Sequence, residues 1–168
     1  MQGKIMKKLS PKSQKWLKAF HILCVSLWVG GAITVSGKQF FIQAKTDGEL
    51  YGIVSTMDYV DLFIIIPGAL GCFVTGLMYS TLTPWGWFKY RWIIVKWIIC
   101  LYGIIFGTYF LGPWLGKLVH IAQTQGLASY DNPQFNSTVI LLMIFGTFQA
   151  ATLIVACFIS SLKPWGKR

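Results

Sequence analysis

Acidic residues are scarce in this chain, and its helix-length apolar stretches contain none. Five Asp and Glu stand against fifteen Lys and Arg, and charged residues make up only 12% of the 168. Charges this few, confined to short stretches, exclude a large soluble domain. Histidine occurs twice and cysteine four times, with no CxxC pair, so the usual spacing of a zinc or dithiol motif is missing. The first apolar run ends in Gly37-Lys38-Gln39-Phe40 without a small-x-small cleavage pattern. It therefore reads as a retained span and not as a signal peptide.

What fills the chain instead is apolar: 55% of residues are hydrophobic and 16% aromatic. Four runs, 16–37, 62–82, 92–111 and 137–162, reach the roughly 17 to 25 residues that cross a hydrocarbon core about 30 Å thick. Backbone groups left unpaired in lipid are costly, so runs of this length are expected to be helices. The predicted fold is all-α, an integral-membrane four-helix bundle forming a single domain over 1–168.

The net charge of +10 is distributed unevenly. With the N-terminus in the cytoplasm, the inner segments hold Lys4, Lys7, Lys8, Lys12, Lys15, Lys18, Lys89, Arg91, Lys163, Lys167 and Arg168. The outer segments hold Lys38, Lys45 and Lys117 together with all five acids, Asp47, Glu49, Asp58, Asp61 and Asp131. This is the positive-inside pattern, and it predicts a protein of the cell (plasma) membrane with both termini cytoplasmic. The basic arm, residues 1–15, suits anionic lipid headgroups. No motif supports a nucleic-acid partner.

Two loops carry a repeated phrase, Ser80-Thr81-Leu82-Thr83-Pro84-Trp85-Gly86 and Ser160-Ser161-Leu162-Lys163-Pro164-Trp165-Gly166. The first and third runs also open alike, Lys15-Trp16-Leu17-Lys18 beside Arg91-Trp92-Ile93-Ile94. Together they suggest two pseudo-repeated helical hairpins related by an axis along the membrane normal. The plainer reading is that any helix exit favours proline and glycine to stop the helix and tryptophan at the headgroups.

Inside these runs sit two costly polar groups, His21 and Lys96, each four or five residues past a tryptophan. Helical rise puts them about 7 Å and about 6 Å inside Trp16 and Trp92, in the same leaflet. Taken singly, Lys96 can extend its amine to the interface, and His21 can be a hydrogen-bonded packing residue. Taken together they outline a pocket. His21, Cys24 and Trp28 follow one helical face, and Lys96, Cys100, Gly103 and Gly107 follow another. Gly103 and Gly107 form a GxxxG that also suits plain helix packing.

Imidazole is an iron ligand, and an ammonium pairs with a carboxylate, so His21 as axial metal ligand and Lys96 as propionate partner suit a haem b, a tetrapyrrole. Trp28 belongs to the same candidate cofactor site. The other histidine, His120, belongs near the opposite membrane face, which argues against two histidine ligands from one chain. Met78 has the chemistry of a sixth ligand, and equally that of a flexible core filler. Cys24, Cys72, Cys100 and Cys157 fall one per run and read as small apolar residues. A zinc or copper site from His21, Cys24, Cys100 and Cys157 is the other arrangement compatible with their depth.

The segment Trp16-Leu17-Lys18-Ala19-Phe20-His21-Ile22-Leu23-Cys24-Val25-Ser26-Leu27-Trp28-Val29-Gly30-Gly31 resembles the first helix of HemJ-type protoporphyrinogen oxidases. Arg91-Trp92-Ile93-Ile94-Val95-Lys96 resembles the opening of their third. Pro67-Gly68 through Gly76, and the Thr83-Pro84-Trp85-Gly86 exit, are similar to a related group of bacterial four-span membrane proteins. The resemblance implies haem b on His21 and an activity-linked, catalytic Lys96. It further implies oxidation of protoporphyrinogen IX, with electrons passed to a quinone or another respiratory-chain acceptor. Where that family has Leu-Pro-Arg and then Tyr-His after its first helix, this chain has Ser36-Gly37-Lys38 and Ile42-Gln43. Those differences bear on the enzyme activity more than on haem binding. Two readings from other classes stand beside the oxidoreductase: a non-enzymatic protein that binds or senses haem, and a cofactor-free transporter or structural bundle. At 168 residues, transport calls for a homodimer.

Overall fold

The computed structural model describes residues 9–84 and 86–165. Lys4, Lys7 and Lys8 of the basic arm, Trp85 of the first helix exit, and Gly166, Lys167 and Arg168 lie outside the described residues.

The described chain is helical, and four of its helices are long and apolar enough to cross a membrane. Helix α1, Pro11–Phe41, starts where the Ser10 hydroxyl accepts the Ser13 N–H and Pro11 takes the first turn, a position that needs no donor. Helix α2, Asp47–Val60, is capped by Thr46, with Asp47 and Glu49 set against the positive end of the helix dipole. It runs without a break through a π turn, Asp61–Ile65, into α3, Ile66–Leu82. Pro67 explains the π turn. It has no N–H to give, and the wider turn lets Ile66 donate to Asp61 five residues back, keeping the helix continuous.

The next helix repeats this device. Helix α4, Arg91–Phe106, passes through a π turn at Gly107–Leu111, ahead of Pro113, into α5, Gly112–Gln125, and ends in a 3₁₀ segment, Gly126–Asp131. Helix α6, Pro133–Leu162, is capped by Asn132 and stops at Lys163, whose backbone is left-handed. The apolar runs read from sequence therefore lie inside longer helices. The second and third extend over 36 and 41 residues, about 54 and 62 Å by helical rise, well beyond the thickness of a hydrocarbon core.

Helix α1 is the centre of the bundle, packed against α3 on one side and α6 on the other, and α4 lies against α6. Helices α3 and α4 touch far less, which leaves a gap along the bundle. The start of α1 and the end of α3 share one end of the molecule, joined by the Leu9 N–H to Leu82 carbonyl bond. At the other end α2 and α5 form a layer with its own core. Leu50, Val54 and Met57 of α2, spaced four and three apart, meet Leu115, Leu118, Ile121 and Ala122 of α5.

Small residues set how closely α1 and α3 approach. A Cβ on Gly68 would lie 2.8 Å from the Trp28 backbone nitrogen and 3.0 Å from the Cys24 carbonyl oxygen, so only hydrogen fits there. Gly103 of α4 likewise accommodates the Trp28 ring, 2.8 Å from where a Cβ would stand. Gly107, one turn on, faces the Gln149 amide of α6. The GxxxG, from the end of α4 into the π turn, thus receives two side chains from neighbouring helices.

Candidate functional site

The α3–α4 gap widens, at the end holding the start of α1, into a cleft of about 460 Å³ with His21 and Lys96 both in its wall. The close α1–α3 approach builds the first half of it. Going back along α1 while going forward along α3, Trp28 faces Gly68, Cys24 faces Gly71, and His21 reaches Thr75.

His21 Nδ1 lies 2.7 Å from the Thr75 hydroxyl oxygen, and that oxygen lies 2.6 Å from the Gly71 carbonyl. A carbonyl can only accept, so the single Thr75 proton goes to Gly71, and His21 Nδ1–H donates to Thr75. In the neutral ring this leaves the Nε2 lone pair uncommitted. Metal-binding and base-acting histidines share this pattern: one ring nitrogen fixed by a buried partner, the other open. The Tyr79 ring packs edge-on to the imidazole at 5.8 Å, and its hydroxyl donates to the Gln14 carbonyl at 3.4 Å.

Lys96 is half-buried on α4. Its Nζ donates to the Ser160 hydroxyl of α6 at 3.1 Å and stands 5.9 Å from the Trp92 ring centre. Lys18 and Lys163 also line the cleft, whereas no acid does so among the described residues. The described titratable lining apart from His21, Tyr79 and two cysteines is therefore cationic. Aromatic walls complete it: Trp97 stacks on Trp87 at 5.4 Å and meets Phe73 edge-on at 5.7 Å. Such a cleft can hold a flat apolar body by its faces and an anionic group by its ammonium groups, with one imidazole nitrogen available for ligation or proton transfer.

The other residues singled out from sequence fall elsewhere. Trp28 is 3% exposed and lines a second, smaller cavity one turn further into the bundle, not this cleft. Met78 is 38% exposed on α3 and is not part of the described cleft wall. His120 is exposed on α5, in the layer at the opposite end. Cys72 and Cys100 line the cleft, and all four thiols are free of disulfides. Among the described residues no three His, Cys, Asp or Glu side chains come together as a metal-binding group, so the zinc or copper set of His21, Cys24, Cys100 and Cys157 is not assembled. Haem iron needs only one axial side chain and is a separate matter.

Thr75, Ser160, Tyr79 and Trp97 were not singled out from sequence. Thr75 had a faint signal, since it follows Gly68 and Gly71 on the small-residue face of its helix. Ser160 had none beyond its place in the repeated exit phrase. No protein-family model, curated protein or solved structure matches the chain.

Proposed function

We propose that this chain is a haem b-binding protein of the cell membrane, with His21 Nε2 as axial ligand and Lys96 as partner of a propionate carboxylate. One observation carries the reading. His21 and Lys96, far apart in sequence, line one aromatic-walled cleft whose volume falls in the roughly 300 to 1,000 Å³ range of small-molecule sites. The chemistry of the cleft fits the group: an imidazole held by Thr75 through one ring nitrogen, aromatic faces from Trp97 and Phe73, and the ammonium groups of Lys18 and Lys96 in the wall.

Bound haem supplies one-electron redox chemistry. The chain's own part is to hold the His21 tautomer through Thr75, to orient carboxylates toward Lys18 and Lys96, and to shield the ring faces from water. Among the described basic residues, Lys12, Lys15, Lys18, Lys89, Arg91 and Lys163 belong to the end that carries the cleft, which favours cytoplasmic termini. Two hairpins, α1 with α3 and α4 with α6, are read as pseudo-repeats. In each, a polar residue on the first helix pairs with a hydroxyl on the second: His21 with Thr75, and Lys96 with Ser160.

The test is the absorption spectrum of protein purified from haem-replete cells. A Soret band that His21→Ala abolishes is expected; no band, or one untouched by that change, sinks the ligand assignment. Protoporphyrinogen IX supplied without oxygen but with a soluble quinone as electron acceptor then separates the enzyme from a binding or sensing protein, since only the former oxidises it and reduces the quinone with Lys96 intact, and loses that turnover in Lys96→Met.

A further inference from the structure

Trp28 divides the interior of the bundle, its backbone set against Gly68 of α3 and its ring against Gly103 of α4. One turn from each glycine stands a cysteine: Cys72 four residues after Gly68, and Cys100 three residues before Gly103. Both side chains pack against the cluster built around Trp28, and both also line the His21 cleft. Their thiols are hydrogen-bonded to each other across the α3–α4 gap. The haem reading gives this pair no task.

The other two cysteines are placed differently. Cys24 packs against Gly71 of α3, Cys157 lies on α6, and neither belongs to the described cleft wall. Cys72 and Cys100 are set apart by position: two thiols, from helices that otherwise touch little, meet at the floor of a cleft. A sulfur–sulfur bond is about 2 Å long, so thiols already within hydrogen-bond reach need only a small approach to form one. Because α3 and α4 make few other contacts, little packing opposes that approach. Lys96, four residues before Cys100 on the same face of α4, puts its ammonium within electrostatic reach of both thiols. The thiolate is the attacking form of a cysteine, and an adjacent ammonium balances its charge.

We propose that Cys72 and Cys100 form a redox-active dithiol, which a peroxide entering the cleft oxidises to a disulfide joining α3 to α4. One cysteine, as thiolate, attacks the peroxide: a sulfur–oxygen bond forms, the O–O bond breaks, and the leaving oxygen takes the thiol's proton to depart as water or an alcohol. The second thiol attacks the resulting sulfenic sulfur, the sulfur–oxygen bond breaks, and hydroxide leaves with that thiol's proton as water. Two sulfurs are oxidised and two peroxide oxygens reduced, so no further electron carrier is needed. Depth selects the oxidant. Cys100 lies eight residues past Trp92, about 12 Å inside it by helical rise, where a small uncharged peroxide passes and a bulky hydrated disulfide does not. The bond fixes the α3–α4 spacing at the cleft floor, the one dimension that direct helix contacts leave loose. This inference is independent of the haem reading, since it needs neither iron nor His21.

Protein purified from haem-replete and from haem-depleted cells is reduced with a phosphine, exposed to hydrogen peroxide, alkylated and mapped by mass spectrometry without reductant. Both preparations are expected to lose two alkylatable thiols and to yield a Cys72–Cys100 linked peptide as the dominant product, reversed by the phosphine. The near-isosteric Cys72→Ser and Cys100→Ser are each expected to lose this crosslink. In one of the two, dimedone is expected to trap the remaining thiol as its sulfenic acid, which identifies the attacking cysteine. Thiols that resist peroxide, no sulfenic acid in either variant, a disulfide chiefly to Cys24 or Cys157, or a crosslink between two chains each overturn the proposal. So does a crosslink confined to haem-loaded protein, since bound iron would then be the oxidant. The same crosslink in protein without a Soret band keeps this result separate from the test of the haem site.

Discussion

The Thr75 hydroxyl is the most consequential small group in the cleft, because its single proton decides which His21 nitrogen is open. Thr75→Val keeps the shape but leaves Nδ1–H without its acceptor. Loss of such an outer partner typically weakens metal binding about 10- to 100-fold, and haem affinity measured by spectral titration is expected to fall within that range, while Thr75→Ser restores it. Lys96 is separable from His21 by the ligand's own chemistry. Removing its ammonium in Lys96→Met is expected to weaken binding of free-acid protoporphyrin about tenfold and to leave the dimethyl ester unaffected; equal losses for both would show that Lys96 does not act on carboxylates. The sequence alone disclosed His21 and Lys96, since a charge or imidazole in an apolar run is conspicuous. Thr75 stayed hidden because a threonine in such a run normally satisfies itself on the preceding turn, and Thr75 does that as well as receiving His21.

At the level of helices, the small-residue face of α3 controls the site by controlling the distance to α1. Gly68→Val puts a branched side chain against the Trp28 and Cys24 backbone, which cannot rotate away. Overpacking of this kind costs about 1 to 3 kcal/mol or more, so a clear drop in melting temperature is expected together with loss of the His21–Thr75 register and of bound haem. Wild-type stability in that variant would mean that the helices separate without consequence. The helix ends were less legible than the helix centres. Windows of apolar residues mark the segments suited to lipid, but α2 and α5 carry ordinary amphipathic stripes with acids and amides between them, so the sequence runs stop short of them. The π turns let both helices run through a proline, an outcome set by the packing around them and invisible in a hydropathy profile.

Across the whole molecule, the cleft and the α2–α5 core are at opposite ends. The α2–α5 layer holds Leu118, 2% exposed and remote from the cleft wall, so Leu118→Ala is expected to cost about 2 to 5 kcal/mol of stability while the ligand affinity of surviving folded protein stays unchanged. A matching loss of affinity would show that the two ends are coupled. Composition and hydropathy by themselves determined the all-helical class and the four helices suited to a bilayer, because a scarcity of charge over long runs leaves few other folds. They also exposed the two residues whose presence in such runs has to be explained. Tertiary structure alone decided that His21 and Lys96 share a cleft, that Trp28 and Met78 lie outside it, and that Cys72 and Cys100 meet at its floor. The physical reason is that these relations depend on how closely α1 approaches α3 and how far α4 stands from it, distances set by glycines and π turns between segments far apart in the chain.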